Sequence, residues 1–180
     1  VVVQKVFHNI ADGLSDTLKL LDYAAIERAV GLLRAARRIA VYGFGNSATV
    51  CRDIETRFLR FGMVVQAYSD AHQQATSAAL LTAGDAVIAV SHTGATIELL
   101  DTVRTARQAG AAVIVITSHA HSPLAKLGDV VLHGMGREVH YSSEAVSSRL
   151  IHMAITDALY TLMAMQSPKE YRCNLQKMRT

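Results

Sequence analysis

The stretch Asp85-Ala86-Val87-Ile88-Ala89-Val90-Ser91-His92-Thr93-Gly94-Ala95-Thr96 holds the key to both fold and site in this 180-residue chain. Its first half is apolar without polar alternation, the pattern of a strand buried on both faces. Its second half places three hydroxyls and a glycine before a helical pattern that opens near Ile97. A strand-to-helix junction of this kind leaves backbone N–H groups unpaired at the positive end of a helix dipole. Small hydroxylated residues add donors there without blocking an anion, and phosphate is the expected guest.

Outward from that stretch the same grammar repeats. Ile39-Ala40-Val41-Tyr42, Met63 to Tyr68, Ala112 to Ile116 and Val130-Val131-Leu132 read as four further strands. Helical patterns separate them: about Ala48 to Phe61, closed by Gly62; Asp70 to about Thr82, opened by Asp70 with Gln73; Ile97 to Ala109, stopped by Gly110. Ser122-Pro123 opens a short helix to Leu127, and a long last helix is predicted from about Ser142 to Met165. Ahead of the first strand, Asp22 caps a helix with Ile26, Val30 and Leu33 inward. Val3, Phe7, Ile10, Leu14, Leu18 and Leu21 mark an amphipathic helix before it. Strands alternating with helices predict an α/β three-layer α-β-α sandwich around a five-stranded parallel sheet.

Length and composition set the bounds. The chain suits a single core. No apolar run reaches the roughly 20 residues needed to span a bilayer, and no signal-peptide pattern opens it, so a cytoplasmic protein is expected. Cys51 and Cys173 lack metal-ligand spacing and read as reduced thiols. A net charge of +3 does not by itself imply nucleic-acid binding. Lys169, Arg172, Lys177 and Arg179 are expected to form a solvated tail.

Ligands of open α/β sheets bind beyond the strand carboxyl ends where the strand order reverses. In a flavodoxin-like order, 2-1-3-4-5, that point falls between the strands followed by Ser47 and Ser91. Gly43-Phe44-Gly45-Asn46-Ser47 and the Ser91–Thr96 loop then face one small ligand. A dinucleotide fits poorly: Ala48 stands where the fingerprint wants its third glycine, and no acidic residue ends the second strand. Each hydroxyl alone is equally explained as a helix cap, but several converging on one switch point favour a ligand.

These motifs resemble the SIS (sugar isomerase) domain, and specifically the effector domain of RpiR-type bacterial transcription regulators. The matching stretches are Gly43 to Ser47, Arg57 to Gly62, Asp70 to Gln73, Ser91 to Thr96, Thr117-Ser118, Ser122 to Leu124, Ser147 to Arg149 and Asp157 to Tyr160. They cover the chain from about Asp22 to Met165, and within the family HexR-type regulators of hexose catabolism are the most similar. The resemblance implies a domain that binds a phosphorylated sugar or sugar acid, 2-keto-3-deoxy-6-phosphogluconate being favoured, and so modulates DNA binding. It implies paired ligand serines at Ser47 and Ser91 and a phosphate loop at Ser91, Thr93, Gly94 and Thr96. With their neighbours the candidate ligand set is Gly45, Asn46, Ser47, Ser91, His92, Thr93, Gly94 and Thr96. Residues 1–21 are expected to be the connecting helix from a helix-turn-helix absent from this sequence, and 22–180 the sensing domain. A homodimer is expected, with Ala145, Ile151, Ile155, Leu159 and Leu162 on its face.

The alternative is a phosphosugar isomerase, which needs a base near the sugar; His72, His92, Glu98 and Glu144 are the candidates. Arg57 is expected in a structural ion pair. His119-Ala120-His121 has no third ligand at fixed spacing, so neither a metal nor another cofactor is expected.

Overall fold

In the computed structural model, residues 2–136 and 146–179 are described. Helices α1 (Val2–Leu20) and α2 (Tyr23–Ala35) lead into β1 (Arg38–Tyr42). There follow α3 (Asn46–Phe58), β2 (Val64–Tyr68), α4 (Ala71–Ala79), β3 (Ala86–Ser91), α5 (Ile97–Gln108), β4 (Ala112–Thr117) and β5 (Val130–His133). Helices α6 (Val146–Gln166) and α7 (Pro168–Lys177) close the chain. The sheet runs β2-β1-β3-β4-β5 with every pairing parallel, as the apolar runs predict.

Alternate strand residues fill two cores, because successive side chains of a strand point to opposite faces. Ile39, Val41, Ile88, Val90, Ile114 and Ile116 meet α2, α3 and α6 on one face. Ala40, Tyr42, Val87, Ala89, Val113 and Val115 meet α4 and α5 on the other. All six β3 residues are buried, whereas the edge strand β2 alternates. Ile26, Val30 and Leu33 point inward as expected.

Several local expectations change. α3 begins at Asn46, two residues early, and its predicted last turn is a 3-10 turn at Leu59–Phe61. α4 stops at Ala79 because the N–H and hydroxyl of Thr82 are drawn onto the Asp85 carboxylate, at 2.8 and 3.0 Å. The Ser122–Leu127 segment makes only a 3-10 turn at Ala125–Leu127, since the N–H of Leu124 is donated across to the carbonyl of Gly94. The tail is not simply solvated: its basic residues are exposed, but α7 packs Tyr171 against Phe61 and Tyr160, with the two tyrosine hydroxyls 2.6 Å apart. Ser167-Pro168, a hydroxyl followed by proline at the first helical position, was its signal in the sequence.

The expected dimer face is corrected for three of its five residues, while Leu162 is half-buried against the core. Ile151, Ile155 and Leu159 are buried inside this chain, because α6 lies under α1, α2 and α3. Ala145, Glu144 and the predicted start of α6 at Ser142 lie outside the described residues. The exposed stripe is on α1 instead, where Val3, Phe7 and Leu18 are 70%, 71% and 62% exposed. Among the described residues no helix is long and apolar enough to cross a membrane.

The sheet end opposite the candidate site is bolted by Asp85. Its buried carboxylate takes the Thr82 donors and faces the guanidinium groups of Arg38, at 3.0 Å, and Arg37, at 3.4 Å. Burial alone would raise its pKa, but the Thr82 N–H, both arginines and the Thr82 hydroxyl outweigh it and hold the pKa below the usual value. The folded chain therefore releases this proton more readily than the unfolded one, so the contribution is present above about pH 3.9 and lost as the pH falls through the folded value. Urea unfolding of Asp85→Asn should show a loss on the order of 2 kcal/mol at pH 7, and the difference from wild type should narrow towards pH 3.

Candidate functional site

Strands β1 and β3 pair directly, Ile39 to Tyr42 against Ala86 to Ala89, so the loops that follow them leave the same edge side by side. They touch at their bases: a methyl group on Gly43 would stand 3.1 Å from the Val90 carbonyl and 2.7 Å from Cys51 Sγ. The β1 loop turns through Gly45, at φ +53°, which occupies the cap position of α3. Asn46 and Ser47 therefore lie in the first helical turn, half-buried, and Ser47 is not the cap.

The β3 loop is held by its own hydroxyls. Gly94 donates its N–H to Ser91 Oγ at 3.0 Å, and Ala95 donates to Thr93 Oγ1 at 3.3 Å. In both cases the oxygen accepts, which leaves each hydroxyl its own proton to donate. Thr96 occupies the cap position of α5 without making a side-chain cap bond. Gly94 has φ +62°, and a methyl group there would strike the Ser122 side chain. Backbone conformation and space thus both demand glycine. Its carbonyl accepts from Leu124, and the carbonyl of His92 accepts from Ser118 N–H at 3.2 Å and Thr117 Oγ1 at 3.3 Å. The loop is a rigid donor array at the start of a helix, suited to an anion.

Beside it opens a cleft of about 520 Å³ that shares Thr93 and is walled by Ser118, His119, His121, Ser122 and His133. Sequence reasoning weighed His119 and His121 as a metal site and favoured plain surface-loop histidines. Among the described residues no cluster of three metal-ligating side chains is present.

Of the candidate ligand set, Ser91 and Gly94 are buried, Asn46, Ser47, His92 and Thr96 are half-buried, and Gly45 and Thr93 are exposed. The His92 ring turns towards α6, with Nδ1 2.7 Å from Ser148 Oγ, and packs against His119 at 5.3 Å between centroids. Of the other candidate bases, His72 lies in the first turn of α4 and Glu98 in that of α5, both exposed, and Glu144 lies outside the described residues. Arg57 sits between Asp53, at 3.1 Å, and Asp157, over the Tyr160 ring, in the structural pair expected of it.

Sequence reasoning missed the buried polar row on α6. Ser148, His152 and Thr156 recur every four residues on one helix face and are all buried. That row is invisible in the sequence because α6 is apolar enough elsewhere to read as ordinary core. His152 Nε2 lies 3.1 Å from Ser118 Oγ. Burial first, then the neighbouring His92 and His133, push its pKa down to about 3.

A family model described as the SIS domain matches residues 32–162. The chain belongs to the SIS domain family. Over 176 residues, 98% of this chain and 60% of its relative, it is 34% identical to the HTH-type transcriptional regulator RpiR of Escherichia coli K12. Over 155 residues, 86% of this chain, it is 43% identical to the bifunctional protein glk of Paraburkholderia xenovorans, of which it spans 24%. The Vibrio vulnificus NanR protein complexed with ManNAc-6P superposes with a TM-score of 0.92 at 28% identity, covering 99% of this chain and 67% of that one.

His152 gives the site a pH signature. The unfolded chain binds a proton near pH 6.5 that the folded chain refuses, so stability is complete above that value and falls as the pH drops towards 3. Denaturant midpoints between pH 7 and 4 should fall with a His152 contribution of at most about 1.4 kcal/mol per pH unit. That component should vanish in His152→Gln.

Proposed function

We propose that this chain is the effector-sensing domain of an RpiR-type transcription regulator, binding a phosphorylated sugar through the Ser47 and Ser91–Thr96 loops. The observation that carries this reading is the switch point itself: two helix starts side by side, with Ser91 and Thr93 hydroxyls whose oxygens accept from the loop and which each keep a proton to donate. A dianionic phosphate gains from both the donors and the helix dipoles. The similarity to RpiR, and to NanR carrying ManNAc-6P, supports the same reading.

Within that class we favour a sugar acid such as 2-keto-3-deoxy-6-phosphogluconate. The adjoining cleft has the volume of a small-ligand site, and among the described residues its walls offer imidazoles and hydroxyls and no carboxylate. A ligand carboxylate would meet donors there. Sensing rather than turnover is the reading favoured by His92, the candidate base in the loop, whose Nδ1 is engaged by Ser148 Oγ. DNA would be contacted by a helix-turn-helix preceding residues 1–21, with α1 as the connecting helix.

Calorimetry with glucose 6-phosphate, N-acetylmannosamine 6-phosphate, 6-phosphogluconate and 2-keto-3-deoxy-6-phosphogluconate tests the assignment. Binding is expected, with the acids tighter, and the Ser47→Ala, Ser91→Ala double variant should weaken it at least about 10-fold, as expected for losing two bonds to a charged group. Unchanged affinity would remove these serines from the site. Deuterium uptake at C1 or C2 of a ketose phosphate in D₂O would replace the sensor with an isomerase.

We also infer a homodimer that buries the exposed stripe of α1, since Phe7, Leu18 and Val3 form one apolar face that stands exposed among the described residues. Sedimentation velocity should show a dimer for the wild type and a shift to monomer for Phe7→Glu.

A further inference from the structure

The attachment of α1 is narrow, and its place is informative. Of the nineteen residues of α1 only Gly13 and Thr17 are fully buried. Thr17 Oγ1 accepts the N–H of Met135 at 3.0 Å. Gly13 lies so close to its neighbours that a methyl group there would stand 2.6 Å from Ile151 Cδ1 and 3.1 Å from the Met135 carbonyl. α1 is therefore seated on two things, the segment that follows β5 and the turn of α6 that carries Ile151.

The same turn of α6 carries Ser148, three residues before Ile151 and so on the adjacent face of the helix. Ser148 Oγ is bonded to His92 Nδ1, whose backbone carbonyl is in turn held by Ser118 and Thr117 at the base of the ligand loop. On its other side Ser148 is pressed by the segment that seats α1: a methyl group on Gly136 would stand 2.5 Å from Ser148 Oγ. Each link from the Ser91–Thr96 loop to α1 is thus a direct contact between tightly packed groups. Close-packed interiors transmit displacement instead of absorbing it.

We propose that α1 is the output element of the ligand site, coupled to it by the His92–Ser148 hydrogen bond and by the seat of Gly13 and Thr17 on α6 and Met135. This inference rests on the ligand reading given above. A ligand that immobilises the Ser91–Thr96 loop immobilises His92, steadies the Ser148 turn and tightens the seat. Coupling of this kind is reciprocal: loosening the seat changes ligand affinity, although Thr17 lies on α1 and bonds Met135.

The test is amide hydrogen exchange of the 180-residue chain with and without saturating 6-phosphogluconate, with calorimetry on the same samples. Ligand should slow exchange in residues 9–17 of α1 while α4, on the opposite face of the sheet, keeps its rate. Ser148→Ala should still bind but lose the α1 response. Thr17→Val, which keeps the shape and removes the acceptor, should shift affinity by about 2- to 10-fold, and Thr17→Ser should restore it. The double variant should shift affinity no further than the larger single change, since both act on one line of contacts. Unchanged α1 exchange despite measured binding, or an α1 response that survives in Ser148→Ala, overturns the proposal. Absence of binding by 6-phosphogluconate and by inorganic phosphate counts against the ligand reading instead. The relay is then decided by the ligand-free proteins: wild-type α1 exchange in both Ser148→Ala and Thr17→Val overturns it.

Discussion

A parallel strand buried on both faces can offer a ligand nothing along its length, only its ends. β3 is the extreme case here, covered on either side by a helical layer and flanked by β1 and β4. Because β1 and β3 are neighbours whose connections depart to opposite faces, their carboxyl ends are left uncovered, and the chain sets glycine and hydroxyl residues at both. The polar loops are rigid because the apolar strands beneath them are. Gly94 is the point where this becomes strict, since its φ of +62° and the Ser122 side chain leave no room for anything larger.

The opposite end of the sheet shows what a purely structural polar cluster looks like in the same molecule. Asp85 is buried, fully provided with donors and faced by two arginines, and it leaves nothing to offer a guest. At the site the balance differs. Hydroxyl oxygens are used to fix the loop, while each hydroxyl keeps a proton to donate. That contrast between saturated and half-used polar groups separates support from recognition more sharply than burial does.

Between loop and core lies the polar row of α6. A helix that carries Ser148, His152 and Thr156 inward must meet partners for each, because an unpaired buried polar group costs about 1–3 kcal/mol. Two of the partners are His92 and Ser118, on the loops after β3 and β4. The same helix surface receives α1 through Gly13. Stability of the packing and communication through it are here the same set of contacts.

The sheet, its order, the two helical layers and the loop hydroxyls were legible in the sequence, because apolar runs, helix caps and glycines act over a few residues. The switch point expected in that order places the Ser47 and Ser91 loops on neighbouring strands, and β1 and β3 do pair directly. Other features were not legible, since they depend on which face of a helix meets which neighbour. Ile151, Ile155 and Leu159 carry the same apolar pattern whether they face a partner or their own core, and only the packing of α6 under α1, α2 and α3 decided for the core. The stripe of α1 reads as an inward face until the small residues Gly13 and Thr17 are seen to take the contact. His92 is one residue of a hydroxyl-rich loop in the sequence; its hydrogen bond to Ser148, fifty-six residues away, exists only once the chain has folded. Local chemistry thus determined the elements and the hydroxyl and glycine loops between them. Tertiary structure alone decided which surfaces remain open and which residues hold the site, because those are contacts between segments far apart in the chain.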